Sequence, residues 1–565
     1  MRHSGPDPAS AQFPPRRSAG VSRRTFVGAA GAGIVGAGLA SAPLAAARPG
    51  GAVFAHGVAS GDPLPDRVIL WTRVTPTPDA APGSGRGAGS TVRWEVATSP
   101  SFPSIVAAGT ASTDASRDHT VKVDAGGLSP KTLYWYRFRV LDGPAAGAVS
   151  PVGRTRTAPA TADDLQRATF GVVSCSNWEA GYFGAYRELA KKPGLDAVVH
   201  LGDYLYEYGP GEYGGKHGPV RRHQPAHDIV SLADYRIRHA QYKTDPDLRA
   251  AHATHPFICT WDDHESADNS YARGAENHDP RTQGSWAARK AHSEQAYYEW
   301  MPVRPQVDAD GRHVYRRLRY GNLLELSMLD LRTYRDVQPS ATSSAVDAPG
   351  TTITGRAQMR WLTGGIETSP TRWQIVGNPV MISPILLPPL DPERAAILTD
   401  LLGLPRGGVP FNTDSWDGYT ADRQRLLTAI EKSGRRNVVF ITGDIHMSWA
   451  CEVPRRPANY PAGGNAATEF VVTSVTSNNL DDTLSVPEHT LGRPASAALM
   501  ATNRNTRWVD TDAHGYAVLT VSPAAAQMDW YFVADRAVRN SPFRHAQSWR
   551  VASGTRRLTR VAGPA

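Results

Sequence analysis

The sequence predicts an α/β protein preceded by a small all-β domain, and three observations predict it. From about residue 168 onward, short apolar runs alternate with helical stretches. Those runs are hydrophobic on both faces, as strands covered by helices on each side must be. Ahead of them, residues 52 to about 158 carry strand-like runs separated by Gly, Pro, Ser and Asp clusters.

In chain order, residues 1–47 look like a targeting signal. Ser22-Arg23-Arg24-Thr25-Phe26-Val27 sets two arginines before an uncharged run from Phe26 to Ala47, which ends in the small-residue cleavage pattern Ala45-Ala46-Ala47. The twin arginine followed by Phe resembles the signal of the twin-arginine export route, although Gly28 stands where a lysine is often found. A membrane anchor is the alternative, but the run is mostly Gly and Ala and contains Pro43, so its transfer energy is poor. The expectation is a cleaved leader, the twin-arginine translocation machinery as a partner, a secreted or cell-wall-associated product, and no transmembrane anchor after cleavage. Gly31-Ala32-Gly33-Ile34-Val35-Gly36 matches G-x-G-x-x-G, but no strand precedes it, so it is not read as a nucleotide site.

The formal charge of +8 overstates how basic the mature chain is. Five arginines and one aspartate lie in the leader, leaving 56 basic against 52 acidic side chains. That small excess argues against a stable nucleic-acid partner. Cys175, Cys259 and Cys451 cannot all pair, so a disulfide framework is not expected; export in the folded state would account for this.

Within residues 52–158, Arg67 to Thr72 and Val92 to Val96 read as strands. Leu128-Ser129-Pro130 followed by Leu133 to Phe138 looks like the penultimate strands of a fibronectin type III-like or immunoglobulin-like sandwich. Nothing catalytic stands out there, and a structural role is assigned. Thr155 to Asp164 reads as a linker. The main domain, residues 168–535, includes helices at Ser285 to Trp300 and Thr420 to Ser433 and strands at Tyr516 to Val521 and Met528 to Val533. Residues 536–565 are Arg-rich and read as a tail that forms a cap or lid.

Five apolar runs of the main domain end in metal-capable side chains. Phe170 to Ser174 runs into Cys175, and Ala197 to Gly202 runs into Asp203 with Tyr206 three residues on. Phe257 to Trp261 runs into Asp262-Asp263-His264-Glu265, Ile375 to Gly377 into Asn378, and Val438 to Gly443 into Asp444 with His446 two residues on. Strand ends in α/β sheets converge on one crevice, and Asp, His, Tyr and Cys gathered there would repel without a cation. A single strand-end Asp is usually a cap or turn residue; five such ends together favour a metal centre. Paired ions suit phosphate-ester hydrolysis. Asp203 can bridge two ions, and Asp444 and His446, at i and i+2, can serve one each.

These residues resemble the PhoD-like alkaline phosphatases, a branch of the calcineurin-like metallophosphoesterases related to purple acid phosphatases. The resemblance runs from FAHGVASGDPLPDRVILWTRV (Phe54 to Val74) through SCSNW, HLGDYLYEY and TWDDHE to ITGDIHMS. It implies a calcineurin-like β-sandwich flanked by helices. It also implies that Asp203 bridges the ions and that Tyr206, His446 and Cys175 hold Fe³⁺. Asp263 and Asp444 then bind a second ion, and His264 orients substrate or protonates the leaving group. Asp at 263 and 444, where the superfamily has Asn and His, hardens the second site toward oxygen ligands and favours Ca²⁺, one ion or two, over Zn²⁺. Asn378 is either a further ligand or a turn residue. Asp262 binds metal, or orients His264 or a water from behind. His200 either backs the ligands or is a satisfied core histidine, and Cys259 and Cys451 are small buried hydrophobes. Arg221, Arg222, Arg236, Arg238 and Arg335 are candidate phosphate holders among which the sequence does not choose.

The reading is therefore an exported phosphoesterase in which a metal-bound hydroxide attacks phosphorus directly. Its substrates would be phosphate mono- and diesters. A phospholipase D or phosphodiesterase of the same family, acting on phospholipids or teichoic acid, is the enzymatic alternative. A non-catalytic cell-surface binding protein with a vestigial metal site is the alternative from another class. No G-x-S-x-G, H-E-x-x-H or P-loop motif is present.

Overall fold

A computed structural model of the chain describes residues 50–216, 218–308, 311–487 and 490–565. The targeting signal read over residues 1–47, with its G-x-G-x-x-G match, lies outside the described residues.

Two large β-sheets stack on each other. The first holds ten strands among the described residues. Their order is Leu558–Val561, Phe543–Ala552, Ala525–Val533, Gly515–Val521, Ala168–Val173, Ala197–His200, Pro256–Cys259, Val58–Gly61, Arg67–Arg73 and Thr120–Gly126. The second holds seven, in the order Arg316–Tyr320, Leu324–Met328, Trp373–Asn378, Val438–Thr442, Ala467–Val471, Ser448–Val453 and Thr506–Asp510.

Side chains alternate across a strand, and here both faces are buried. Phe170, Val172, Val199 and Ile258 of the first sheet share one core with Leu326, Ile375, Val439 and Phe470 of the second. The alternate residues face helices. Val198 and Phe257 pack with Leu189, Tyr235, Leu248 and Ala296, which lie on helices Gly184–Ala190, Leu232–Tyr242, Pro246–Thr254 and Trp286–Trp300. On the other side, Val376 and Phe440 pack with Leu362 of Gly355–Thr368 and Leu426 of Thr420–Lys432. The result is a β-sandwich flanked by helices. Ser285 starts Trp286–Trp300 by accepting the N–H of Ala288, the local reason that helix begins where the sequence suggests.

Ala168–Val173, Ala197–His200 and Pro256–Cys259 are parallel neighbours. So are Leu324–Met328, Trp373–Asn378, Val438–Thr442 and Ala467–Val471. Parallel strands all end on the same side, so each sheet delivers several chain reversals to one rim.

The amino-terminal β region is joined to this frame through backbone pairing. Ile105–Thr113, Ser90–Ala97, Leu133–Val140 and Gly153–Arg156 form their own sheet, and Val58–Gly61 pairs in parallel with Pro256–Cys259 in the large one. Val68 and Leu70 of the large sheet close a core against Val92, Val96, Tyr136 and Phe138 of the small one. The Tyr134 hydroxyl accepts the Ser129 N–H at 2.8 Å, the tyrosine corner of immunoglobulin-like sandwiches. The stretch read as a linker begins inside strand Gly153–Arg156 and is pinned at Asp163, whose carbonyl accepts the Asn322 N–H at 2.9 Å. The tail read as a cap or lid forms strands instead. Phe543–Ala552 and Leu558–Val561 edge the ten-stranded sheet, with Trp549, Val551 and Leu558 in the inter-sheet core and Arg550 and Arg560 outside. Trp549 and Val551 alternate with exposed Arg550, the two-faced pattern of a half-buried strand.

Candidate metal centre

The chain turns sharply just past three of the strand ends. Cys175, Asp203, Asp444 and His446 have φ of 59°, 54°, 64° and 57°. Non-glycine residues rarely adopt this left-handed conformation, which costs on the order of 1–3 kcal/mol each and concentrates at functional sites. Three overlapping groups of ligand atoms result, each within 4.8 Å: Cys175, Asp203 and His446; Asp203, Asp263 and His264; and Asp262, Asp263 and Asp444.

In the first group the Tyr206 hydroxyl is 3.1 Å from Asp203 Oδ2, 3.1 Å from His446 Nε2 and 2.6 Å from Ser477 Oγ. His446 Nδ1 lies 2.7 Å from the Asn478 carbonyl, which can only accept. Nδ1 therefore carries the proton and Nε2 presents its lone pair to the group. Burial, then the charge of Asp203, pushes the Cys175 thiol and the Tyr206 phenol well above their usual ranges. Burial also raises the Asp203 carboxyl well above its range, and depresses His446 to about 3. Cys175, Tyr206 and Asp203 give up their protons to a cation that takes the protons' place, whereas His446 Nε2 is already free of one.

The third group is charged differently. Arg332 forks Asp262 through Nε at 2.5 Å and Nη2 at 2.9 Å, and Nη2 also lies 3.0 Å from Asp444 Oδ1. Asp414 meets the same guanidinium at 2.8 Å and is held from behind by Arg335 at 2.6 Å. Burial acts to raise Asp263, but Arg332 and His264 overcome it and hold that carboxyl below the usual range. Burial with Asp262 and Asp414 nearby pushes Asp444 well above it.

His264 lies where the groups meet. Its Nδ1 is 2.7 Å from Glu207 Oε2, and its ring packs on Tyr206 with centroids 4.1 Å apart. Burial works to lower it, yet Asp263, Glu207 and Asp203 together hold it well above the usual histidine range.

Two family models match the chain: PhoD-like phosphatase over residues 170–530, and PhoD-like phosphatase, N-terminal domain over residues 38–159. Alkaline phosphatase D of Bacillus subtilis (strain 168) is 39% identical over 431 residues, covering 75% of this chain and 69% of that protein. The chain belongs to the PhoD-like phosphatase family. The phosphatase is a phosphoric ester hydrolase, which sets aside the non-catalytic binding protein. A solved structure of PhoD matches it with a TM-score of 0.79 at 34% identity, over 93% of this chain and 94% of that one. A purple acid phosphatase isolated from yellow lupin (Lupinus luteus) seeds matches with a TM-score of 0.52 at 10% identity, over 88% and 73% of the respective chains, a likeness of fold alone.

The donor set of the phosphatase fits metal ions. Asp203 Oδ1 is buried and has no hydrogen-bond partner among the described residues, a costly state for a carboxylate oxygen unless a cation faces it. Cys175, Tyr206 and His446 could hold a transition-metal ion on one side of Asp203, and Asp263 and Asp444, with Asp262, an oxygen-preferring ion on the other.

Not every candidate joins. Asn378 donates to the Val380 carbonyl and to Thr442 Oγ1, and its Oδ1 accepts from Trp416 Nε1 at 3.0 Å; these bonds make it a clamp between strand ends. Glu265 accepts the N–H groups of Asp203, Tyr204 and Asp262 and ties two strand ends together. His200 bonds Tyr186 at 2.9 Å within the core, and burial depresses it to about 3. Cys259 and Cys451 are free and buried. Among the candidate arginines, Arg221, Arg236 and Arg335 are paired with Asp245, Glu299 and Asp414, and Arg238 donates to the Tyr206 and Tyr208 carbonyls.

Glu207, Arg332, Asp414 and Ser477 were not anticipated. Arg332 follows strand Leu324–Met328 and Ser477 follows Ala467–Val471, but neither is a metal-capable side chain, so a search for ligands at strand ends passes over both. Glu207 is one residue past Tyr206. Asp414, on a long loop, carries no local signal.

Proposed function

We propose that this phosphatase is exported and hydrolyses phosphate mono- and diesters at a centre where Cys175, Tyr206 and His446 hold Fe³⁺, Asp263 and Asp444 hold Ca²⁺, and Asp203 serves both. The observation that carries the reading is the buried, unpartnered Oδ1 of Asp203 between the two ligand groups. Bound there, the two ions supply the positive charge that acidifies water and neutralises phosphoryl oxygens.

The chain's own residues do the rest. Asp203 sets the spacing of the two sides. Ser477 fixes the phenol of Tyr206, and the Asn478 carbonyl fixes the tautomer of His446. With Nδ1–H committed to Glu207, His264 keeps a second proton at Nε2 for the departing alkoxide. Arg332 holds Asp262 and Asp444 in place from behind. Turnover of both p-nitrophenyl phosphate and its bis ester is expected. A colourless, iron-free preparation with full activity would overturn the iron assignment.

Export is inferred from Arg23 and Arg24 and the run that follows them. No helix among the described residues is long and apolar enough to cross a membrane. Replacing Arg23 and Arg24 with lysine should leave the protein in the cytoplasm; undiminished export would sink this route.

One observation favours a phospholipid substrate as a second reading. Ahead of Asp414, helix Ala396–Leu402 exposes Ile397, Leu398, Leu401 and Leu402, with Ile397 87% and Leu401 79% exposed. Such an apolar patch suits the acyl region of a lipid. Phosphatidylcholine hydrolysis faster than that of the bis ester would favour it.

A further inference from the structure

Four carboxylates crowd the Arg332 guanidinium, and they crowd Nη2 most. Besides the fork to Asp262, Nη1 lies 2.9 Å and Nη2 2.8 Å from Asp414, while Nη2 also lies 3.0 Å from Asp444 and 3.5 Å from Asp263. Nη2 has two hydrogens for four carboxylates, so its bond to Asp444 is a shared one and Asp263, at 3.5 Å, is reached by charge alone. The side chain is 3% exposed, and its backbone N–H is anchored on the Asp330 carboxylate at 3.1 Å. A guanidinium keeps its charge in any protein setting. A permanent positive charge therefore stands among the carboxylates that would receive a divalent ion.

We propose that Arg332 is the resident counter-cation of the carboxylate side: it holds Asp262, Asp263 and Asp444 in position before a divalent ion arrives, and tempers that ion's affinity by competing for Asp444 and Asp263. The inference rests on the Ca²⁺ reading of these residues given above. Two effects of opposite sign follow. Charge at hydrogen-bond distance from the ligands weakens cation binding, and the same fork keeps those ligands placed for turnover. A residue that only braced the fold would, when removed, weaken both.

The test is calorimetric titration of Ca²⁺ into the full-length, Ca²⁺-stripped enzyme, with steady-state kinetics alongside. Arg332→Met should bind Ca²⁺ roughly tenfold more tightly or better, while kcat falls about 100-fold. Arg332→Lys should return the Ca²⁺ affinity to within about threefold of wild type and recover only part of kcat, since an ammonium cannot fork. Arg332→Met binding Ca²⁺ no more tightly than wild type overturns the proposal. Wild-type enzyme that takes up no Ca²⁺ overturns the Ca²⁺ reading and this inference with it, and that result appears before any substitution is made. If Arg332→Met does not fold, Asp414→Asn serves. Removing that carboxylate concentrates the guanidinium charge on Asp444 and Asp263, and Ca²⁺ binding should weaken about threefold or more; unchanged or tighter binding overturns the proposal.

Discussion

The two sides of the centre settle their charge in opposite ways. Around Cys175, Tyr206 and His446, the supports are a carbonyl and a hydroxyl, and Asp203 is the only carboxyl of that ligand group. Burial keeps the thiol and phenol protonated until a cation displaces their protons. Around Asp262, Asp263 and Asp444, the carboxylates arrive with a partner already present in Arg332, itself backed by Asp414. The first side is completed by the ion it binds, whereas on the second Arg332 holds Asp263 ionised while burial still raises Asp262 and Asp444. Selectivity between a transition-metal ion and an oxygen-preferring Ca²⁺ then follows from ligand chemistry on each side.

Asp203 is where the contrast breaks down, because it is common to two ligand groups. Asp203→Asn should lower kcat/KM by about 10³-fold or more and strip both ions; elemental analysis retaining one of the two would show that it does not bridge. The sides should separate under milder changes. Cys175→Ser is expected to lose iron and its colour while keeping Ca²⁺, and Asp263→Asn the reverse, each at a cost of about 100-fold in kcat. Loss of both ions from either variant would mean the sides are one cooperative unit.

Between the sides, Glu207→Gln removes a charge that holds the His264 proton. His264 should then lose that proton at lower pH, so the alkaline limb of the pH–rate profile moves to lower pH and kcat drops about tenfold. An unmoved alkaline limb would remove His264 from the role of acid.

The smallest effect lies outside both. Lys243 is buried with Tyr204 and His252 as its bonded partners, and burial lowers it from 10.5 to about 7. Its folded value is the lower one, so the unfolded chain binds the proton more strongly between pH 7 and 10.5. The penalty is complete below 7 and fades as pH rises toward 10.5. Lys243→Met should flatten that rise in stability and add about 1 kcal/mol at pH 7. Denaturation midpoints measured across that range check it; a parallel rise in the variant would mean that the lysine is not its source.

Much of the fold was legible because apolar periodicity is a local property. Runs such as Val438 to Thr442 and the Ser285-capped helix stand where the pattern places them. The amino-terminal region was less legible, since Val58–Gly61 looks like any short strand until it pairs with Pro256–Cys259, nearly two hundred residues away. The tail misled for a related reason: composition alone reads its arginines as a cap and does not see that Trp549, Val551 and Leu558 seat it in the core.

At the site the same division holds. Strand ends and ligand chemistry were enough to nominate Cys175, Asp203, Tyr206, Asp263, His264, Asp444 and His446, because each requires only a residue type at the end of an apolar run. The roles of Asn378 and Glu265 were not, since an amide or a carboxylate at a strand end can face a metal or its own backbone. Arg332 marks the limit most clearly. Its partners Asp262, Asp414 and Asp444 lie 70, 82 and 112 residues away in sequence. A charge balance among buried groups depends on which of them meet, and the packing of the two sheets brings these four together.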